Sequence, residues 1–310
     1  MNNAPRVSFA SREHYRLLLP DGNEGVATLS GTFRRSSSRL PVVGDYVELD
    51  GTLIREVLPR RSQFSRRAAG TKPDEQVLAA NIDVVFIVCG LDGDFNQRRI
   101  DRYLVLAEES GAVPVVVLNK ADLLNGQEPP RVECDAPVVC TSTEREDGLL
   151  PLEAWLRPGV TVALLGSSGA GKSSITNRLL QSEELRTQPV REHDSRGRHT
   201  TTHRELFQLP GGAFLIDTPG MRELQLWAEQ DSVDDAFTKV RELAQACRFS
   251  DCRHNGEPGC AVEAAIAAGE LDYDRLASYR KLSNEVRGMD KNAVKKIHKQ
   301  MRQHYKHNSK

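Results

Sequence analysis

The chain has 310 residues, of which 39% are hydrophobic and 27% charged, and its net charge is −1. That length can bury two or three full cores, and the composition is ordinary for a soluble globular protein. The opening stretch MNNAPRVSFASREHYRLLLP has no apolar run long enough for a signal peptide or a membrane span, which argues for a cytoplasmic protein with no membrane partner. In that reducing compartment the six cysteines are expected to be ligands or core residues rather than disulfides. The near-zero net charge averages over uneven segments. Arginine is dense from Arg34 to Arg67, and the tail from Arg275 to Lys310 is strongly basic. Two basic flanks point toward nucleic acid.

Up to about residue 70, short stretches such as GVATLSGTF and YVELDGTLIREVL alternate apolar and polar positions and predict a small antiparallel β-barrel. Phe33, Arg34, Arg35 and Arg39 set a ring suited to stacking among cations there. RRSQFSRRAAGTKPDEQ then reads as a polar, basic connector. From Asp83 to Gly220 the apolar runs DVVFIVCG, AVPVVVLN, PVVCTS, VTVALLG and FLIDTPG alternate with helix-like stretches, the pattern of a parallel α/β sheet covered on both faces. After about Gln225 the pattern is helical, interrupted by CRFSDCRHNGEPGC.

Asn119-Lys120-Ala121-Asp122 ends the strand VPVVVL, at the sheet edge where parallel α/β proteins bind ligands. Asp122 can accept hydrogen bonds from N1 and the 2-amino group of guanine, whereas adenine would leave it unpaired. Asn119 braces the loop and Lys120 covers the ring. The next strand ends at Thr141-Ser142, where a backbone N–H is placed to reach the guanine O6. Gly166-Ser167-Ser168-Gly169-Ala170-Gly171-Lys172-Ser173 satisfies G-x-x-x-x-G-K-[ST] between the strand VALL and the helix-like run that begins Ser173-Ser174. The glycines let backbone N–H groups face phosphates, Lys172 adds a charge at the β- and γ-phosphates, and Ser173 offers a hydroxyl to Mg²⁺. FLIDTPG ends at Asp217, suited to hold Mg²⁺ through water, and at Gly220, whose N–H can approach a γ-phosphate.

The base-reading loop precedes the phosphate loop, the reverse of the usual order, and circular permutation of one domain explains both motifs at once. Four soft or borderline ligands follow in Cys247-x4-Cys252-x-His254-x5-Cys260, which would fill a tetrahedral zinc site and leave no open position, so a zinc there is structural. Cys89, Cys134 and Cys140 have no partner at ligand spacing and read as structural.

On VLNKAD, GSSGAGKSS, GRHTTTH, IDTPG and the cysteine cluster, the chain resembles the circularly permuted GTPases, and within them the family of the ribosome-small-subunit-dependent GTPase A of bacteria, across nearly its whole length. The resemblance implies an N-terminal OB-fold over 1–72, a permuted G domain over 73–224 and a helical, zinc-binding C-terminal domain over 225–310. It also implies GTP and GDP as ligands with Mg²⁺, one structural Zn²⁺, and action late in maturation of the small ribosomal subunit, with that subunit and its rRNA as partner. A monomeric free state goes with this reading. Met221 stands where Ras-like GTPases carry a water-positioning Gln, and the family assigns that role to the His at the place of His199. Thr201 is the candidate to complete the Mg²⁺ shell. A P-loop kinase or ATPase is disfavoured by Asn119–Asp122, and an RNA-binding zinc protein with a relic nucleotide site by intact Asp122, Lys172, Ser173 and Asp217.

If Asp122 reads guanine, Asp122→Asn weakens GTP binding about tenfold or more and shifts preference toward xanthosine triphosphate. Competition binding checks this, and unchanged GTP preference contradicts the assignment.

Overall fold

The computed structural model describes residues 4–11, 14–31, 33, 39–67, 75–181, 204–217, 228 and 230–288. Strands β1 (Arg6–Ala10), β2 (Tyr15–Leu18), β3 (Glu24–Leu29), β4 (Val47–Asp50) and β5 (Leu53–Val57) form the N-terminal unit. They pair in the order β1-β2-β3-β5-β4, with β3 and β5 parallel, and a bridge between Arg6 and Tyr46 brings the chain entering β4 back to β1. Alternation explains the barrel: Tyr15 and Leu17 point inward with Val7, Val47 and Ile54, while their neighbours in β2 are only half-buried. Phe33, expected as a stacking ring, packs against this barrel core, and Arg34 and Arg35 lie outside the described residues.

The expected connector carries strand β6 (Gln63–Arg67) and the start of β7 (Glu75–Ala80) instead. The two run antiparallel, and Phe64 is 2% exposed in the main core beside Leu78 and Ala79. One large apolar side chain in β6, set among arginines and polar residues, left too little alternation for composition to reveal it. The arginine-dense flank is also partly internal. Arg60 is buried and donates two hydrogen bonds of 2.7 Å to the Asp45 carboxylate, which itself accepts the Val42 N–H at 2.8 Å. Arg6 is buried between the Tyr46 and Phe214 rings, 5.0 Å from each, and donates to Gly44 O and Asn81 O. Phe9 of β1 pairs with Glu205, so the barrel strands continue into the larger sheet.

That sheet contains β8 (Val84–Gly90), β9 (Val113–Asn119), β10 (Val138–Cys140), β11 (Thr161–Gly166), β12 (Glu205–Gln208) and β13 (Phe214–Asp217). Its order is β10-β9-β8-β11-β13-β12, all parallel except β12. Every residue of β8 is buried, as an apolar run covered on both faces requires. The chain steps outward from β8 through β9 to β10, then returns to β11 on the other side of β8. β8 and β11 therefore flank a topological switch point, where ligands bind in sheets of this kind. Register brings the loop-bearing ends together, with Gly166 opposite Val88 and Gly90 opposite Asn119.

Helix α1 (Gln97–Ser110) covers one face of the sheet, and α2 (Lys172–Leu180) follows β11. The C-terminal unit is helical: α3 (Gln230–Ala236), α4 (Thr238–Ala244), α5 (Ala261–Ala267) and α6 (Tyr273–Gly288). Its core is continuous with that around α1. Three ion pairs cross this contact: Arg98–Asp274 at 2.9 Å, the bidentate Arg102–Glu285 pair at 2.8 and 2.6 Å, and the buried Arg275–Asp101 pair. The Arg275 guanidinium also lies 3.9 Å from the centre of the Phe237 ring. Burial pushes the Asp101 carboxyl up, and Arg275 opposes that shift.

Asp45→Ala leaves the Arg60 charge buried and uncompensated. It should cost about 3–5 kcal/mol in equilibrium denaturant unfolding, and a loss below about 1 kcal/mol contradicts the structural role of the pair.

Candidate nucleotide and metal sites

β11 ends at Gly166 and α2 begins at Lys172, so the phosphate loop is a strand-to-helix turn at the switch point. Two of its glycines are required by contact. A Cβ on Gly166 would lie 2.2 Å from Val88 O, and one on Gly171 would lie 2.1 Å from the Asn119 amide nitrogen. Both also have positive φ, 151° and 96°. Ala170 is buried, while Ser168, Gly169, Ser173 and Ser174 are exposed. Lys172 Nζ donates to Gly166 O at 2.7 Å and to Ser167 O, so its charge sits inside the turn. The first turn of α2, with its N–H groups directed at the loop, favours an anion there.

Asn119 joins the loops. Its side chain is fully buried, its Nδ2 donates to Ala170 O at 3.0 Å, and its Oδ1 accepts the Thr141 hydroxyl at 3.1 Å. Lys120 follows with φ 65° and its ammonium pairs with Asp92. The Ala121 N–H donates to Thr141 O at 2.9 Å, which seats the base-reading turn on the end of β10. Asp122 accepts the Ser142 hydroxyl. The N–H groups of Thr141 and Ser142 are donated inward, to Leu118 O at 2.9 Å and Gly148 O at 3.0 Å. It is the Ser142 hydroxyl that meets Asp122, while the two N–H groups expected to face a base are bonded within the fold.

Three side chains with roles here were not singled out in the sequence. Asp92 holds Lys120, and that hydrogen bond keeps its carboxyl below the usual range. Asp94 accepts the Ser167 hydroxyl and pairs with Arg99, tying the phosphate loop to the start of α1. Arg178, on α2, donates to the carbonyls of Thr143, Arg145 and Glu146 at 3.1, 2.8 and 2.7 Å and holds the loop after β10 against the phosphate-loop helix. Asp and Arg in surface-like stretches carry no local signal, and only the packed sheet shows what they meet. Asp217 ends β13, two strands from β8 at the same edge. His199, Thr201 and Gly220 lie outside the described residues.

Cys247, Cys252, His254 and Cys260 converge, with all ligand atoms within 4.8 Å of one another. The His254 Nδ1 is 3.6 Å from Cys247 Sγ and 3.5 Å from Cys260 Sγ, and those two sulfurs are 4.0 Å apart. A tetrahedral zinc with its usual bond lengths separates sulfurs by about 3.8 Å and sulfur from nitrogen by about 3.5 Å, so the cluster fits that ion. His254 reaches it from a left-handed backbone conformation, φ 56°, and Cys260 caps α5 by accepting the Glu263 N–H at 3.5 Å. Burial lowers the His254 pKa, which favours the neutral, ligating imidazole. Burial and then the neighbouring sulfurs push Cys252 up to about 12. Against burial, hydrogen bonds to Cys247 from the backbone and from the other two thiols pull it the other way, and a cation in the cluster would favour the ionised form of all three.

Phosphate and base loops at the switch point of a sheet in this order, with the base loop first in the chain, define a circularly permuted GTPase. The solved structure of YjeQ from Thermotoga maritima superposes with a TM-score of 0.67 at 27% identity, covering 93% of this chain and 99% of that one. YloQ, described as a circularly permuted GTPase, shares the fold with a TM-score of 0.65 at 23% identity, covering 92% and 95%. A family model, RsgA GTPase, matches residues 57–227. A small ribosomal subunit biogenesis GTPase RsgA from Opitutus terrae is 50% identical over 308 aligned residues, 92% of this chain and 84% of its own. One from Xanthomonas axonopodis pathovar citri is 53% identical over 259 residues, 82% and 71%. The chain belongs to the RsgA GTPase family.

Asn119→Ala breaks two buried hydrogen bonds that join the phosphate and base loops. Affinity for a fluorescent GDP analogue should fall about ten- to a hundredfold, from about 1–3 kcal/mol of unsatisfied polar groups. Unchanged affinity contradicts the bracing role.

Proposed function

We propose that this protein hydrolyses GTP as an assembly factor of the small ribosomal subunit, and that the subunit stimulates the hydrolysis. The observation that carries this reading is the fully buried Asn119 amide, which makes the base-reading and phosphate loops one site. Asp122 reads the guanine edge, with its carboxylate aimed by the Ser142 hydroxyl. Lys120, steadied by Asp92, lies over the base, and Ala121 and Ser142 complete that wall. The loop from Gly166 to Gly171 wraps the phosphates with its N–H groups, and Lys172 turns from its own loop carbonyls to the β- and γ-phosphates. Ser173, Asp217 and Thr201 would hold Mg²⁺, which neutralises charge building on the phosphate oxygens; Ser174 and Gly220 flank it.

The N-terminal barrel serves as the OB-fold that meets rRNA, the middle as the G domain, and the C-terminal helices as a domain held by one structural zinc on Cys247, Cys252, His254 and Cys260. Names carried by relatives, small ribosomal subunit biogenesis GTPase, support the partner. No described helix is long and apolar enough to cross a membrane. The reading takes the free protein as monomeric and cytoplasmic.

With Met221 in the place of a water-positioning Gln, the isolated protein turns over slowly. Contact with the subunit brings His199 to the attacking water. Purified small subunits should accelerate single-turnover hydrolysis by roughly two orders of magnitude or more, and His199→Ala should remove most of that gain while sparing GTP affinity. An undiminished stimulated rate in the variant contradicts the role of His199, and no stimulation of the unaltered chain contradicts the reading itself.

A further inference from the structure

A cavity of about 240 Å³ lies against the cysteine–histidine cluster, between the turn carrying Arg253–Asn255 and helix α6. Its walls are rich in hydrogen-bond donors. Arg280, Asn284 and Arg287 line it from α6, at the i, i+4 and i+7 positions of one helix face, and Arg253 and Asn255 line it from the turn. Two acids stand beside it, and each is already engaged by the lining, so three guanidinium groups face two carboxylates. Glu263 accepts Arg280 at 3.0 Å and the Gly256 N–H at 2.8 Å, and Glu257 accepts the N–H groups of Arg253 and Asn255. Among the described residues Arg253 and Arg287 make no ion pair, and the Nε of Arg280 is buried without a hydrogen-bond partner.

Three guanidinium groups around a small polar hollow match an oxyanion with several acceptor atoms, and a phosphate group suits the planar fork of arginine best. The source of that phosphate is suggested by the chain that follows α6. Residues 289–310 carry seven Lys or Arg and a single acid, the composition of a segment that lies along a polyanion. A single free phosphate leaves most of those cations unmatched, whereas a backbone phosphate comes with further charges for them.

We propose that this cavity is a phosphate pocket of the zinc-binding unit, seating one backbone phosphate of RNA on Arg253, Arg280 and Arg287. The inference rests on the proposed function, because it takes RNA as the partner. It also assigns the arginines a role other than balancing the thiolates of a bound zinc.

The test uses the full chain, zinc-loaded, and a fluorescent single-stranded RNA of about 20 nucleotides, followed by anisotropy between about 50 and 200 mM salt. The double variant Arg253→Gln/Arg287→Gln should bind about tenfold more weakly, and the slope of log affinity against log salt should shrink by roughly 0.7, the loss of one single-strand phosphate contact. Lys239→Gln, on α4 and outside the cavity, should change neither. Metal analysis should find as much zinc in the double variant as in the unaltered chain. RNA binding with unchanged affinity and slope in the double variant would overturn the pocket while leaving the RNA reading in place. Loss of zinc would overturn it by showing that the arginines serve the cluster. Absence of RNA binding by the unaltered chain would remove the RNA reading and the pocket with it.

Discussion

One buried amide ties the phosphate loop to the base loop. Asn119 donates to Ala170 in the phosphate loop and accepts from Thr141 beside the base loop, and its side chain has no access to water. Each contact therefore has no solvent substitute, which is the condition under which a hydrogen bond is costly to lose. Parallel register sets the position of the amide, because Gly90 lies opposite Asn119 and Val88 opposite Gly166 across the central strand β8. The same constraint explains Gly171, where any Cβ would collide with that amide. None of these contacts depends on whether β11 comes before or after β9 along the chain. The permuted order is tolerated because the site is a property of neighbouring strand ends and not of chain order.

Around that centre, buried or half-buried Arg–carboxylate pairs orient the parts. Arg60–Asp45 closes the barrel side, and Arg275–Asp101 and Arg102–Glu285 seat the C-terminal helices on α1. Such pairs add little net stability over apolar packing, but removing one partner is costly, so they fix a single arrangement. α1 is the shared plate. The loop entering it carries Asp92 and Asp94, which touch Lys120 and Ser167, and its first turns carry Arg98, Asp101 and Arg102, which pair with α6. The nucleotide loops thus contact the entry of this helix, and the C-terminal helices contact the helix itself.

The loops of the candidate nucleotide site were legible because their geometry is written locally. Gly166–Ser173 and Asn119–Asp122 each specify a turn by spacing, and Cys247, Cys252, His254 and Cys260 fall within a short polar stretch whose turns bring them together. The continuous apolar runs of β8, β9 and β11 likewise announced a two-sided sheet. What escaped is what depends on tertiary neighbours. β6 shows one apolar side chain, Phe64, among arginines, and its strand character comes from its pairing with β7 and from the core beneath it. Asp92, Asp94 and Arg178 are ordinary residue types in polar stretches, and their roles appear only when strand order brings their partners within reach. The direction of the Ser142 N–H, inward to Gly148 O, is a backbone detail that no residue type encodes.

The most direct test of the account is amide hydrogen exchange across residues 166–173, in the unaltered chain and in Asn119→Ala, both without nucleotide. If the Asn119 amide holds the two loops together, the substitution speeds exchange in the phosphate loop and in the segment 141–146 alike, although the altered residue belongs to neither. Exchange that is unchanged in the phosphate loop would show that this loop keeps its shape without Asn119, and the central claim would be wrong.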